Sequence, residues 1–118
     1  MKLFNWKTEK QEDVNPKMWR KIISGEKVMI AEVFIAQGGI VPLHHHESEQ
    51  ISYGLEGALR LELEGTAVVL RHGDVLVIPS NVPHSGVALE DYHGFDIFSP
   101  IRVDWLTGQD DYLRQAKG

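Results

Sequence analysis

Residues 38–57 read GGIVPLHHHESEQISYGLEG, and the folding of this stretch decides how the rest of the chain is read. It opens on two glycines, closes on another, and holds three consecutive histidines between them. In an extended segment successive side chains point to opposite faces. His44 and His46 therefore share a face, and His45 points away from it. Further on, Ile51, Tyr53 and Leu55 alternate. If that strand begins by residue 49, Glu49 lies on their face and Gln50 on the opposite one.

The same two-residue period runs outward in both directions. Residues 27–35, KVMIAEVFI, are β-branched and apolar and predict a strand buried on much of its surface. In residues 58–64, ALRLELE, Leu59, Leu61 and Leu63 take one face and Arg60, Glu62 and Glu64 the other. Gly65-Thr66 is a hairpin turn into AVVL, and Gly73-Asp74 a turn before VLVI and Pro79. HSGVAL at 84–89 and HGFDIF at 93–98 add two strands. Only 103–116, with Trp105, Leu106, Tyr112 and Leu113, reads as a short C-terminal helix, interrupted by Gly108. Short strands separated by turn signals predict an all-β domain, a sandwich or a barrel.

Length and composition narrow the function classes. A chain of 118 residues is enough for a single domain with its own core. A net charge of −5 argues against a nucleic-acid or anionic-membrane partner, either of which wants a basic face. There is no cysteine, hence no disulfide framework, thiolate nucleophile or zinc finger. The N-terminal MKLFNWKTEK has no unbroken apolar run of the signal-peptide kind, and nothing approaches the ~20 apolar residues of a membrane span. The expected location is cytoplasmic, with the periplasm as the alternative.

His84 stands at the start of a later strand. Adjacent strands can bring it to a metal shared with His44 and His46 at the usual ~2.1 Å. The competing reading is a solvated histidine loop and an isolated core or surface histidine. Spacing bears on the choice. Gly38 is followed by five residues and His44, then one residue and His46, three residues and Gln50, six residues and Gly57. Gly73 is followed by five residues and Pro79, and His84 comes five positions later.

This spacing resembles the two-motif signature of the cupin superfamily. The resemblance implies a jelly-roll β-barrel and one divalent transition metal, with His44, His46 and His84 as ligands and Gln50 in the position of a fourth. Gln50 stands where many cupins have glutamate, Asn81 where the second motif has glycine, and Ala88 where it closes on asparagine. Asparagine tolerates positive φ, so the turn at Asn81 can survive. Three imidazoles and an amide oxygen would leave the full charge of a Zn, Ni, Co, Fe or Mn ion uncancelled. That favours a Lewis acid over oxygen activation.

Residues 95–103, FDIFSPIRV, place Asp96 and Phe98 on one strand face and Phe95 and Ile97 on the other. An aspartate within an apolar strand needs water, a partner or a ligand. Its simplest partner is Arg102, in a salt bridge closing the barrel. HHHESEQISYGLEG, VIPSNVPHSGVALE and FDIFSPIRVDWL together are similar to the KdgF-type cupins of pectin and alginate breakdown, from about Lys17 to Leu106. Those enzymes convert cyclic 4,5-unsaturated monouronates into linear keto-deoxyuronates. The resemblance implies Asp96 as proton shuttle, Arg102 as a catalytic and substrate-binding residue, and Phe98 packing on the sugar ring, although ordinary core packing also accounts for Phe98. The implied partner is a small sugar acid.

A metal-dependent dioxygenase and a non-catalytic sugar-binding cupin are the alternatives. His45 and His72 read as surface residues, His93 as structural or at the rim, and Trp6, Trp19 and Trp105 as packing or interface residues. By analogy with small cupins the chain is expected to be a homodimer, with KMWRKII at 17–23 as a candidate contact.

Overall fold

The computed structural model describes residues 1–116. The strands are β1 Glu12–Asn15, β2 Met18–Ser24, β3 Met29–Ile35, β4 Ile40–His44, β5 Glu49–Glu56, β6 Leu59–Leu63, β7 Thr66–Leu70, β8 Val75–Ile78, β9 His84–Ala88 and β10 Tyr92–Ser99. The period of two is the reason they form. In β3, Met29, Ala31, Val33 and Ile35 are buried, and the residues between them are not. In β6, Leu59 and Leu61 are buried while Arg60 pairs with Glu62 at 2.7 Å outside. Each such fully buried aliphatic side chain contributes roughly 1.5–3 kcal/mol.

The strands make two antiparallel sheets, ordered β1-β2-β3-β10-β5-β8 and β4-β9-β6-β7. They face each other across a shared core that includes Met18, Val33, Leu61, Tyr92, Phe98 and Trp105. The expected closed barrel is not formed: among the described residues no ladder joins the edge strands of one sheet to those of the other. Alternation requires only one buried face per strand, and an open sandwich satisfies that as well as a barrel does. Closure depends on edge backbones meeting, which side-chain period does not report.

Two turns explain motif positions. Gly57 has φ 77°, and a Cβ there would overlap the Asp91 carbonyl. Asn81 has φ 61°, the left-handed conformation expected of it.

The single helix expected over 103–116 is two, α1 Val103–Thr107 and α2 Asp111–Arg114. Gly108, at φ 71°, ends α1 in the left-handed conformation that favours glycine. A buried ion network fixes this tail. Arg20, fully buried on β2, donates to Asp110 at 2.6 Å and to Glu12 at 2.7 Å, and Arg114 reaches the same two carboxylates at 3.0 and 2.8 Å. The network ties α2 to β1 and β2.

Residues 17–23 form most of β2, hydrogen-bonded on both sides within the chain. On the outer face Trp19 stacks on Phe34 at 5.7 Å, and Trp6, in a 3-10 turn, stacks on Phe95 at 5.6 Å.

Candidate metal and active site

His44 ends β4, and His84 begins β9 directly opposite it in register. His46 follows in the loop, and Gln50 projects inward from β5, where it faces Phe98 of β10. The strand period thus delivers three imidazoles to one point. A ligand atom from each lies within 4.8 Å of the others. His45, Glu47 and Glu49 are exposed.

The tautomers follow from the hydrogen bonds. The Nδ1 of His44, His46 and His84 each lies 2.8 Å from a backbone carbonyl, that of Pro42, Ser48 and Val82 respectively. A carbonyl only accepts, so each Nδ1 carries the proton and each Nε2 keeps a lone pair. Burial holds all three rings uncharged. It pushes the pKa of His44 down to about 3 and that of His46 to about 4, and lowers that of His84.

The amide of Gln50 is oriented in the same way. Ser52 donates its hydroxyl proton to Asp96 Oδ1 at 2.7 Å, so it can only accept from Gln50 Nε2, at 2.9 Å. Gln50 Oε1 then faces His46 Nε2 at 3.0 Å. Two lone pairs confront each other there. A cation between them reconciles the contact, because an imidazolium at His46 is disfavoured by burial. His84 Nε2 is likewise buried without a partner, so these residues fit a metal. His44, His46, His84 and Gln50 would hold it.

The cavity beside this cluster is lined by His44, Gln50, Ser52, His84, Asp96 and Arg102, with Tyr112 at one side and apolar core residues behind. Asp96 is pushed up to about 6 by burial, against the lowering effects of the Ser52 bond, the Arg102 charge and Gln50. The Asp96–Arg102 salt bridge is not formed. Asp104 takes the guanidinium instead, at 3.0 Å from Nε and 2.9 Å from Nη2, and Tyr112 Oη accepts from Nη2 at 2.8 Å. Arg102 Nη1 alone is buried without a partner. The arginine therefore offers the cavity one donor rather than a fork.

Phe98 is fully buried and does not line the cavity. Its ring packs edge-on to His46 at 5.7 Å and to Trp105 at 5.0 Å, with the Arg102 guanidinium 5.1 Å over its face. Of the two roles open to it from sequence, sugar contact and core packing, its position behind His46 and Arg102 matches core packing.

Two residues of the site escaped sequence reasoning. Ser52 shares the inward face of Gln50 two positions on, and that parity was its available signal. Tyr112 stacks on His44 at 4.4 Å from the C-terminal helix, and no local pattern announces it. Of the remaining histidines, His72 is exposed and His93 bonds Glu32 at 2.9 Å on the outer face.

Comparison with known proteins agrees with this geometry. The cupin domain family matches residues 31–93, the span from β3 to β10 that holds His44, His46, His84 and Gln50.

The chain is a cupin.

This cupin is 34% identical over 98 residues to the pectin degradation protein KdgF of Dickeya dadantii, covering 80% of this chain and 89% of that one. The structure of KdgF from Halomonas sp. superposes with a TM-score of 0.82 at 36% identity, over 88% of this cupin and 99% of that chain. An RmlC-like cupin from Shewanella frigidimarina gives a TM-score of 0.83 at 25% identity, over 89% and 96%. Asn81 is exposed, its Nδ2 donating to Ser80 Oγ at 3.3 Å, and Ala88 is a buried core residue, so neither departure brings a donor to the histidine cluster. Among the described residues no helix of this cupin is long and apolar enough to cross a membrane.

Proposed function

We propose that this cupin is a metal-dependent enzyme that opens cyclic 4,5-unsaturated monouronates to linear keto-deoxyuronates. The observation that carries the reading is a carboxylate, Asp96, and a lone free arginine donor, Arg102 Nη1, facing one cavity beside the histidine cluster. The likeness to two KdgF proteins, one of them described by its role in pectin degradation, supports the same substrate class.

The chemistry is a proton relocation. The anomeric hydroxyl gives its proton to Asp96, the ring C1–O5 bond breaks to an aldehyde and an enolate, and Asp96 returns the proton to C4. No net proton is gained or lost. A carboxyl titrating near 6 suits both halves of that exchange. Arg102 Nη1 donates to the substrate carboxylate, with Asp104, Tyr112 and Phe98 holding the guanidinium in place. A divalent cation on His44, His46, His84 and Gln50 would supply Lewis acidity toward the substrate's carboxylate and enolate oxygens. The tail, tied down by Arg20 and Asp110, keeps Tyr112 packed on His44.

The same reading has the enzyme act in the cytoplasm as a homodimer. Supporting the dimer, Ile23, Ile30, Ile97, Ile51 and Val77 form one cross-strand row on the outer face of the six-stranded sheet.

The test is incubation of metal-loaded protein with 4,5-unsaturated galacturonate, following loss of double-bond absorbance above the spontaneous rate. Asp96→Asn keeps the shape and the Ser52 bond but removes the base, so acceleration should fall by about 10²–10⁴-fold with metal content intact. Metal-loaded wild type inert toward every unsaturated uronate tested would end this reading. Oxygen uptake with a catechol or diketone would then favour a dioxygenase.

A further inference from the structure

Among the described residues, three buried side-chain atoms lack a hydrogen-bond partner: His84 Nε2, Arg102 Nη1 and Tyr92 Oη. All three residues line the same cavity. The first two have roles in the reading above. The third has none, and an unmatched buried hydroxyl is destabilising unless something uses it.

Its placement shows what it could meet. Tyr92, Gly94, Asp96 and Phe98 occupy alternate positions of β10 and share its inner face. Tyr92 is 2% exposed, and its ring leans along the strand over Gly94, where a Cβ would collide with the phenol oxygen. Gly94 thus leaves the hydroxyl room to hang over the middle of the strand, one inward position short of Asp96. The phenol oxygen and the Asp96 position are then roughly 6–7 Å apart, two residues of strand rise. Two O–H···O bonds of ~2.7 Å meeting at one intervening oxygen span at most ~5.4 Å, so the two groups bracket one oxygen when the Asp96 carboxylate, carried off the backbone by its side chain, leans toward Gly94. Asp96 Oδ1 is engaged by Ser52, which leaves Oδ2 to accept from that oxygen. Burial, reinforced by the Asp96 charge, raises the pKa of Tyr92 well above its ordinary value, so the phenol is a donor at all working pH values.

We propose that Tyr92 is a further catalytic residue: its hydroxyl donates to the anomeric oxygen whose proton Asp96 removes. The inference rests on the uronate-opening reading and adds a second residue at the bond-breaking end of the substrate. Asp96 takes the proton from O1, negative charge develops on O1, and Tyr92 meets that charge until the C1–O5 bond has broken and O1 is a carbonyl oxygen. Tyr92 keeps its own proton throughout, so the atom balance of the reaction is unchanged. The donor is fixed before substrate arrives and has no competing protein acceptor, which is the arrangement that makes such a group effective in a dry site.

Tyr92→Phe removes one oxygen and nothing else. In metal-loaded protein it should lower kcat for 4,5-unsaturated galacturonate by about 10²-fold, with KM and metal content little changed. In an Asp96→Asn background it should cause little further loss, because both residues act on the same hydroxyl. Without substrate it should raise Tm by about 3–8 °C, since an unmatched buried hydroxyl is gone. Unchanged kcat in an active enzyme, or a lowered Tm showing a structural partner for the hydroxyl, overturns the proposal. Wild type inert toward all uronates, with the Tyr92→Phe Tm raised, instead overturns the uronate reading and leaves a free hydroxyl aimed at another ligand.

Discussion

Replacing Ser52 with alanine tests the relay on which both metal site and base depend. Ser52 is 2% exposed, and its hydroxyl makes two bonds, accepting from Gln50 Nε2 at 2.9 Å and donating to Asp96 Oδ1 at 2.7 Å. A neutral bond contributes about 1 kcal/mol net and one to a carboxylate about 1.5–3 kcal/mol. Asp96 borders the cavity, where solvent replaces part of what is lost, so about 2 kcal/mol is expected overall. For a chain of this size that lowers Tm by about 6–10 °C. The effect on the metal is separate. Gln50 loses the acceptor that aims its Oε1 at His46, and loosening such a supporting bond weakens metal affinity about 10–100-fold. Asp96 loses a bond that lowers its pKa, so it titrates above its present value of about 6 and the acid limb of the pH–rate profile moves to higher pH. Thermal melts of metal-free protein, competition for zinc with a chromophoric chelator, and rates across pH measure the three effects. Unchanged Tm together with unchanged zinc affinity would refute the relay.

Elemental analysis of protein purified without a histidine tag should find metal lost in His46→Ala and depleted in Gln50→Ala but retained in Glu49→Ala and His45→Ala; the opposite result for the Gln50 and Glu49 pair would put the ligand register off by one residue. Metal-free protein should lose stability on acidification from pH 7 towards 4. His44 and His46 titrate at about 3 and about 4 in the fold against an ordinary 6.5, so the unfolded chain binds more protons over that window and acid favours it. Asp96, raised to about 6, works in the opposite direction as pH falls, but it is one group against three histidines. Denaturant titrations at several pH values check this, and a His44→Asn variant should show a flatter profile. Asp110→Ala should destabilise by about 3–5 kcal/mol, because it strips a partner from the fully buried Arg20, and limited proteolysis should then cut first in the C-terminal helices.

How much of this was legible beforehand differs by element. The strand faces were legible, because burying one face of a sheet imposes a period of two on the sequence, and Leu59, Leu61, Gln50 and Asp96 all lie where that period puts them. The histidine pair was legible for the same reason, and the motif spacing added His84. Arg102 was legible as a charged residue near the site but not in its partner. Asp104, two residues away, outcompetes Asp96 because a local bidentate contact forms as the helix starts, and no strand pattern encodes it. Phe98 was placed on the correct face, yet only the depth of the core showed it to lie behind the ligands.

By itself, then, the sequence determined an all-β chain through its strand period, and, through the resemblance of its motif spacing to the cupins, the convergence of His44, His46, His84 and Gln50. Only the tertiary structure decided that the two sheets stay open, that Ser52 orients the Gln50 amide, that Arg20 and Asp110 hold Tyr112 against His44, and that Tyr92 faces the cavity without a partner. Those outcomes join residues distant in the chain, such as Arg20 and Asp110, or depend on which of several local partners is nearer. Side-chain contact in three dimensions selects among them, and sequence period is blind to that choice.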